Sequence, residues 1–274
     1  MRLEIAYNTR YEYEPAVHRG LTALRLRPAS RPGLLVESAE LSAPGGRLVA
    51  AYLDGWGTCV DLVEFPGAHT SAEFEVRAIV ETQPAEWDRP PAPDEQYFYT
   101  GDSSRVRSAA VEPFGWAVAD EGRSWQAVES ALAWMPQRFF YRIGTTDAET
   151  PIEDAIAVGS GVCQDFAHIF LALLRRWGWC ARYVSGYFFN AEAEAPRILA
   201  EAMHAWVEVY RPGVGWIGLD ATSGRYSDER YVPVGFGRDY DDVRPVRGVL
   251  LGESEQAQVS RLEIARLAAS QRQQ

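Results

Sequence analysis

Positive charge is scarce in this chain: Lys and Arg number 27 against 38 Asp and Glu, a formal net charge of -11. Most of the surface therefore repels nucleic acid and anionic membranes, and a nucleic-acid-binding function is disfavoured. Long hydrophobic runs are missing as well. Residues Met1 to Tyr7 hold no apolar core of signal-peptide length, and no later stretch approaches the roughly 20 residues of a bilayer-spanning helix. The expectation is a soluble cytoplasmic protein with no membrane partner. Cys59, Cys163 and Cys180 stand far apart with no short paired spacing, which argues against a disulfide framework or a zinc knuckle. There is no EF-hand calcium loop and no internal repeat, so no metal and no cofactor are expected.

What is present is an ordinary globular composition, 47% apolar and 24% charged, over 274 residues. That length suits one large domain or two modest ones. From Met1 to about Thr82 apolar residues alternate with polar ones, as in Leu3, Ile5 and Tyr7 and again through Glu73–Val80, and turns such as Ala43-Pro44-Gly45-Gly46 interrupt the pattern. An all-β, sandwich-like domain over 1–83 is expected. The proline-rich stretch from Gln83 to Pro93 suits neither a helix interior nor a central strand, and marks 84–102 as a linker. A second, α+β domain is expected over 103–274, with a polar tail after Ala268.

Within that domain Trp125, Val128, Leu132 and Met135 recur at helical spacing behind a Ser124 cap, up to a stop at Pro136. Thr150 and Glu153 form the pattern of a capping box around Pro151. A third helix begins at Cys163, carries Phe166, Ile169, Phe170, Leu173 and Leu174 on a broad apolar stripe, and ends at Gly178. A strand follows over Ala181–Phe189. Met203–Tyr210 and Trp216–Asp220 then form a hairpin through Arg211–Gly215.

A cysteine in the first turn of a helix sits beside unpaired backbone N–H groups and the positive end of the helix dipole, which favour the thiolate. Gly159 and Gly161 would let the backbone approach a substrate closely, and the Cys163 amide could donate to an oxyanion. By itself this leaves the commoner fate of an isolated cysteine, a small buried hydrophobe, open. His168 lies on the same helix but points away from Cys163, which suits a surface or supporting residue. His18 and His69 belong to the β-rich region. His204 remains as the base. Pairing Tyr210 with Trp216 puts His204 and Asp220 on one face as diagonal neighbours, and only a register slip of an odd number would part them. An Asp beside Nδ1 would orient the ring and leave Nε2 for the thiol proton, although a purely structural His–Asp hydrogen bond fits the same spacing. Asp165 suits the helix dipole, Gln164 a solvent-facing or oxyanion-assisting role, and Trp206 and Trp216 share the His204 face.

Gly161–Ala167, Met203–Tyr210 and Gly218–Thr222 together resemble the three catalytic blocks of bacterial transglutaminase-like proteins. Tyr13-Glu14-Pro15 through Pro28 is similar to the β-rich N-terminal region of that family, and Gly237–Val243 with Pro245–Gly248 to its C-terminal signature. The resemblance implies a papain-like core with a Cys163–His204–Asp220 triad, forming a thioester from a peptide or protein carboxamide and passing the acyl group to an amine or to water. A cysteine peptidase or amidase, a non-catalytic protein-binding module of the same fold, and a zinc site on the three residues are the alternatives. The chain departs from the family at Ala221, where proline is common and the turn is less restrained without it, and at Cys180, another usual proline. Cys180 and Cys59 are expected to be structural.

Overall fold

Alternating apolar residues build the first 82 positions into six strands: β1 (Arg2–Val17), β2 (Arg19–Leu24), β3 (Leu34–Ser42), β4 (Arg47–Leu53), β5 (Cys59–Phe65) and β6 (His69–Thr82). In the computed structural model, which describes residues 1–84, 89–114, 123–190 and 203–268, β1 and β6 pair antiparallel so that Leu3 meets Val80, Ile5 meets Ala78 and Tyr7 meets Val76. All six side chains are buried, so the period of two places one face of the pair in a core.

Beyond residue 89 come α1 (Pro93–Thr100), a 3₁₀ helix at Ser108–Phe114, α2 (Trp125–Arg138), β7 (Phe140–Tyr141), α3 (Ile152–Val158), β8 (Ser160–Gly161) and α4 (Cys163–Arg176). Then follow β9 (Ala181–Phe188), β10 (His204–Arg211), β11 (Gly215–Asp220), β12 (Arg225–Tyr226), β13 (Tyr231–Gly237), α5 (Tyr240–Val243), β14 (Val246–Leu251) and β15 (Glu255–Arg266). Helix α4 packs Phe166, Ile169, Phe170 and Leu173 onto the Ala205, Val207, Val209 and Leu219 face of a five-stranded sheet ordered β12-β11-β10-β9-β13. The architecture is α+β, a helix-on-sheet core with a β-rich region before it. Among the described residues no helix is long and apolar enough to cross a membrane.

Three local expectations change. The 84–102 stretch contains α1, because Pro93 sits in the first turn, where its missing N–H costs nothing. Residues 85–88 of the linker, and the tail from 269 on, lie outside the described residues. Helix α2 runs through Pro136 to Arg138, since only its last turn lies beyond the proline and Phe139 still donates to the Met135 carbonyl, at 3.0 Å. Ser124 caps it as its sequence suggests, accepting from the Ala127 amide at 3.2 Å. Thr150 does not cap α3; its hydroxyl donates to Asp147 at 2.9 Å and closes a turn instead.

The largest difference concerns the expected 103–274 unit. Strand β14 pairs with β2, and β15 pairs with β1 along twelve residues, Leu3↔Arg266 to Glu14↔Glu255. The end of the chain thus completes two four-stranded sheets, β15-β1-β6-β3 and β14-β2-β5-β4, which face each other as a sandwich. The physical reason is edge protection: without these strands β1 and β2 would each present a row of unpaired backbone groups. The sandwich also docks on this sheet. Tyr187 donates to the Leu26 carbonyl at 2.7 Å, the Phe236 amide to Thr58 at 3.0 Å, and Glu208 lies 2.6 Å from Arg182 and 3.6 Å from Arg31.

Candidate active site

The approach to Cys163 is built by the short parallel pair β7–β8, in which Tyr141 stands beside Gly161 and the Arg142 amide donates to the Gly161 carbonyl at 2.8 Å. Cys163 is the first residue of α4 and is 7% exposed. Asp165 shapes the helix start: its Oδ2 accepts from the Val162 amide at 2.8 Å and from the Thr146 hydroxyl at 2.7 Å. Burial outweighs these donors and holds its carboxyl above the usual carboxylate range. This gives Gly161 a structural reason of its own, since a Cβ there would lie 2.3 Å from the Asp165 carboxylate oxygen. Gly159, at φ 71°, ends α3 in the left-handed conformation that favours glycine. Gln164 does not face solvent freely; it reaches across to the Ala148 carbonyl at 3.2 Å.

The hairpin of β10 and β11 has the register expected from its turn, with Tyr210 opposite Trp216 and Val207 opposite Leu219. His204 and Asp220 therefore meet diagonally, with His204 Nε2 3.1 Å from Asp220 Oδ2. The nitrogen differs from the sequence-based expectation. Nε2 spans the diagonal to Asp220, so Nδ1 is the ring nitrogen that Asp220 does not engage. The Cys163 thiol lies within hydrogen-bond reach of the ring. Burial opposes a charge on His204, but the Asp220 carboxylate and the Cys163 side chain outweigh it and raise the imidazole to about 10.

Asp220 is 2% exposed and well supplied with donors. Besides His204 it accepts from Tyr231 Oη at 2.8 Å and Ser223 Oγ at 2.9 Å on Oδ2, and from the Thr222 amide at 2.9 Å on Oδ1. Burial pushes its carboxyl up, but His204 and these hydroxyls prevail and hold it down at about 2. The turn is closed without the proline common in the family. The Thr222 bond and a 2.9 Å bond from the Gly224 amide to the Asp220 carbonyl hold it, with Ala221 buried.

Aromatic rings wall the His204 imidazole: Phe188 at 5.5 Å, Tyr231 at 6.0 Å and Trp206 stacked at 6.2 Å between centroids. Trp216 sits away from the ring, under the Arg182 guanidinium at 4.0 Å and beside Tyr99 of α1. His168 is not at the surface. It is 4% exposed, accepts the Tyr240 amide on Nε2 at 3.2 Å, and burial depresses its pKa to about 4. Burial pushes the Cys180 thiol up to about 11 and raises that of Cys59, in keeping with structural roles for both. Among the described residues no group of three or more His, Cys, Asp and Glu side chains forms a metal-holding cluster. Sequence spacing did not reveal Tyr231, which reaches Asp220 from a different strand, nor Ser223 in the turn.

Cys163, at the start of α4, thus stands beside a histidine that is bonded to Asp220, on a helix-on-sheet core. The family model of the transglutaminase-like superfamily matches residues 114–221, and that of the bacterial transglutaminase-like N-terminal region matches 3–81. The protein ML0607 of Mycobacterium leprae is 32% identical over 97% of this chain and 99% of its own length. Protein Rv2569c of Mycobacterium tuberculosis is 42% identical over 43% of this chain, a match that spans 39% of that protein. A crystal structure of a candidate cysteine protease from Cytophaga hutchinsonii superposes with a TM-score of 0.77 at 22% identity, covering 98% of this chain and 92% of that one, and shares the fold. The chain belongs to the transglutaminase-like superfamily and carries the bacterial transglutaminase-like N-terminal region.

Proposed function

We propose that this protein is a cysteine-dependent acyl-transfer enzyme acting on a carboxamide or peptide amide, with Cys163 as nucleophile, His204 as base and acid, and Asp220 as the residue that orients His204. The observation that carries this reading is the placement of His204, bonded through Nε2 to Asp220 and adjacent to the Cys163 thiol. A ring so held keeps its proton near neutral pH and can pair with the sulfur anion as it attacks. The Cys163 sulfur adds to the carbonyl carbon, and backbone N–H groups of the first turn of α4 stabilise the oxyanion. The C–N bond then breaks as the His204 imidazolium gives its proton to the leaving amine, and a thioester remains. An amine or a water, deprotonated by His204, attacks the thioester; the C–S bond breaks and the thiolate returns.

Acyl transfer to an amine makes the enzyme a transglutaminase, and transfer to water a peptidase or amidase. The Cytophaga neighbour, named for cysteine protease activity, favours the second outcome as an alternative. The substrate is a peptide or protein amide, without nucleic acid, membrane, metal or cofactor. A cytoplasmic setting keeps the three unbridged cysteines reduced. The test is mass spectrometry of peptide mixtures incubated with the protein, with and without a primary amine. Cross-linked, deamidated or cleaved products that vanish in Cys163→Ala support the reading. Products unaffected by that substitution would remove Cys163 from the chemistry, and no products at all, with iodoacetamide labelling of Cys163 at neutral pH no faster than that of Cys59 and Cys180, would overturn the reading in favour of a non-catalytic module.

A further inference from the structure

Asp220 Oδ2 is shared by three partners from three segments: His204 Nε2 from β10, Ser223 Oγ from the following turn, and Tyr231 Oη from β13. The tyrosine is the buried one of the two hydroxyl donors, 6% exposed, while Ser223 lies at the surface. Its ring is fixed from several sides, 4.6 Å from Phe188 and 5.3 Å from Trp206 between centroids, and both of those rings also flank His204. One residue thus packs on the base and hydrogen-bonds the carboxylate that orients it.

The backbone that presents Tyr231 is itself tied to the sandwich. The Thr82 hydroxyl, at the end of β6, donates to the Glu229 carbonyl at 2.6 Å, two residues before Tyr231. The Tyr231 amide closes a turn onto the Asp228 carbonyl at 3.0 Å, and its Cα stands opposite Phe188 in β9. Position, hydrogen bond and support therefore converge on one side chain, Tyr231.

We propose that Tyr231 is a positioning residue for the Asp220–His204 pair, holding the carboxylate oxygen that faces His204 in place and keeping it ionised, with the β-rich sandwich bracing Tyr231 through Thr82. The inference rests on the proposed cysteine chemistry and adds a fourth side chain to it. Oδ2 of a buried carboxylate free to rotate would offer His204 a range of geometries. Two hydroxyl donors on that oxygen leave one. The charged and titratable groups around this pair include, among the described residues, His204 and, beyond it, Cys163 on α4; Tyr231, with Asp228 acting on it from the β13 side; and Arg225, whose Cα lies opposite Asp220 in β12. Losing the phenol donor removes support from the anion, so the carboxylate picks up its proton at a higher pH.

The test is the pH dependence of Cys163 alkylation by iodoacetamide, which needs no substrate, with turnover measured in parallel. Relative to the parent protein, Tyr231→Phe keeps the ring and the fold, and is expected to move the acid limb of the alkylation profile to higher pH and to lower kcat about tenfold with KM little changed. Ser223→Ala, at a surface position where misfolding is not an issue, shifts the limb the same way by less, and Thr82→Val gives the smallest shift. A purely structural tyrosine would lower the melting temperature without moving the limb. An unmoved limb in Tyr231→Phe overturns the proposal even where Cys163 of the parent is activated. A parent Cys163 no more reactive than Cys180 overturns the cysteine chemistry instead.

Discussion

The sandwich and the helix–sheet core handle polar groups in opposite ways. In β1 and β6 buried and exposed residues alternate, so one face of each strand leaves its polar side chains to water. Helix α4 and strand β9 are buried almost throughout, and every polar group there needs a protein partner. Arg175 donates to the carbonyls of Ala181 at 3.0 Å and Arg238 at 2.6 Å, His168 takes the Tyr240 amide, and Asp220 receives donors on both oxygens. The candidate site sits in the part of the molecule where burial compels satisfied, fixed geometry. Such preorganisation is what an acyl-transfer centre requires.

The sharpest way to separate the two regions is Asp220→Asn. An amide of the same shape cannot stabilise the charged ring, so turnover falls about 10⁴-fold while the fold is kept, at a cost of a few degrees in melting temperature. Retained turnover would make Asp220 structural. Next comes the seam between the regions. Glu208→Gln leaves Arg182 and Arg31 without the carboxylate between them and costs about 3–5 kcal/mol in chemical denaturation, the cost of breaking a buried ion pair from one side. A loss under about 1 kcal/mol would show the seam to be wet and screened.

A smaller effect follows from pH. The His204 pKa is raised from 6.5 to about 10, so its stabilising contribution is complete below about 6.5 and is lost as pH climbs through 10. The Asp220 pKa is depressed from 3.8 to about 2, so its share is complete above about 3.8 and lost as pH falls through 2. The excess stability of the parent over His204→Gln is therefore greatest between about pH 4 and 6.5, by a few degrees in thermal melts, and shrinks on both sides. An excess that does not vary with pH would separate the pair from the stability of the core. Smallest of all is Leu53→Ala on strand β4, 63% exposed, where the change stays within about 0.5 kcal/mol. A larger loss would mean that the outer edge of the sandwich carries buried packing after all.

Much of the site was legible locally. A period of two along Met203–Tyr210, a turn of known length and the matching period in Trp216–Asp220 were enough to put His204 and Asp220 on one face, and the hairpin has that register. The start of α4 at Cys163 was equally readable, since apolar spacing and preceding glycines are local signals. The return of β14 and β15 was not. Leu262 and Ile264 alternate as Leu3 and Ile5 do, but alternation names a strand and not the sheet it joins. Pro93 and Pro136 misled for a related reason: a proline is hostile to a helix interior and harmless in the first turn or near the end, and position within the helix depends on what packs around it.

The sequence by itself determined the periodicities, the helix that starts at a cysteine and the parity that joins His204 to Asp220, because side-chain direction follows from backbone geometry within a few residues. Only the tertiary structure decided which imidazole nitrogen meets Asp220, that Asp165 occupies the space above Gly161, that Tyr231 completes the carboxylate's donors, and that the end of the chain closes the sandwich. Each of these depends on segments far apart in sequence being packed to within hydrogen-bonding distance, and that packing is fixed by the burial of the whole chain.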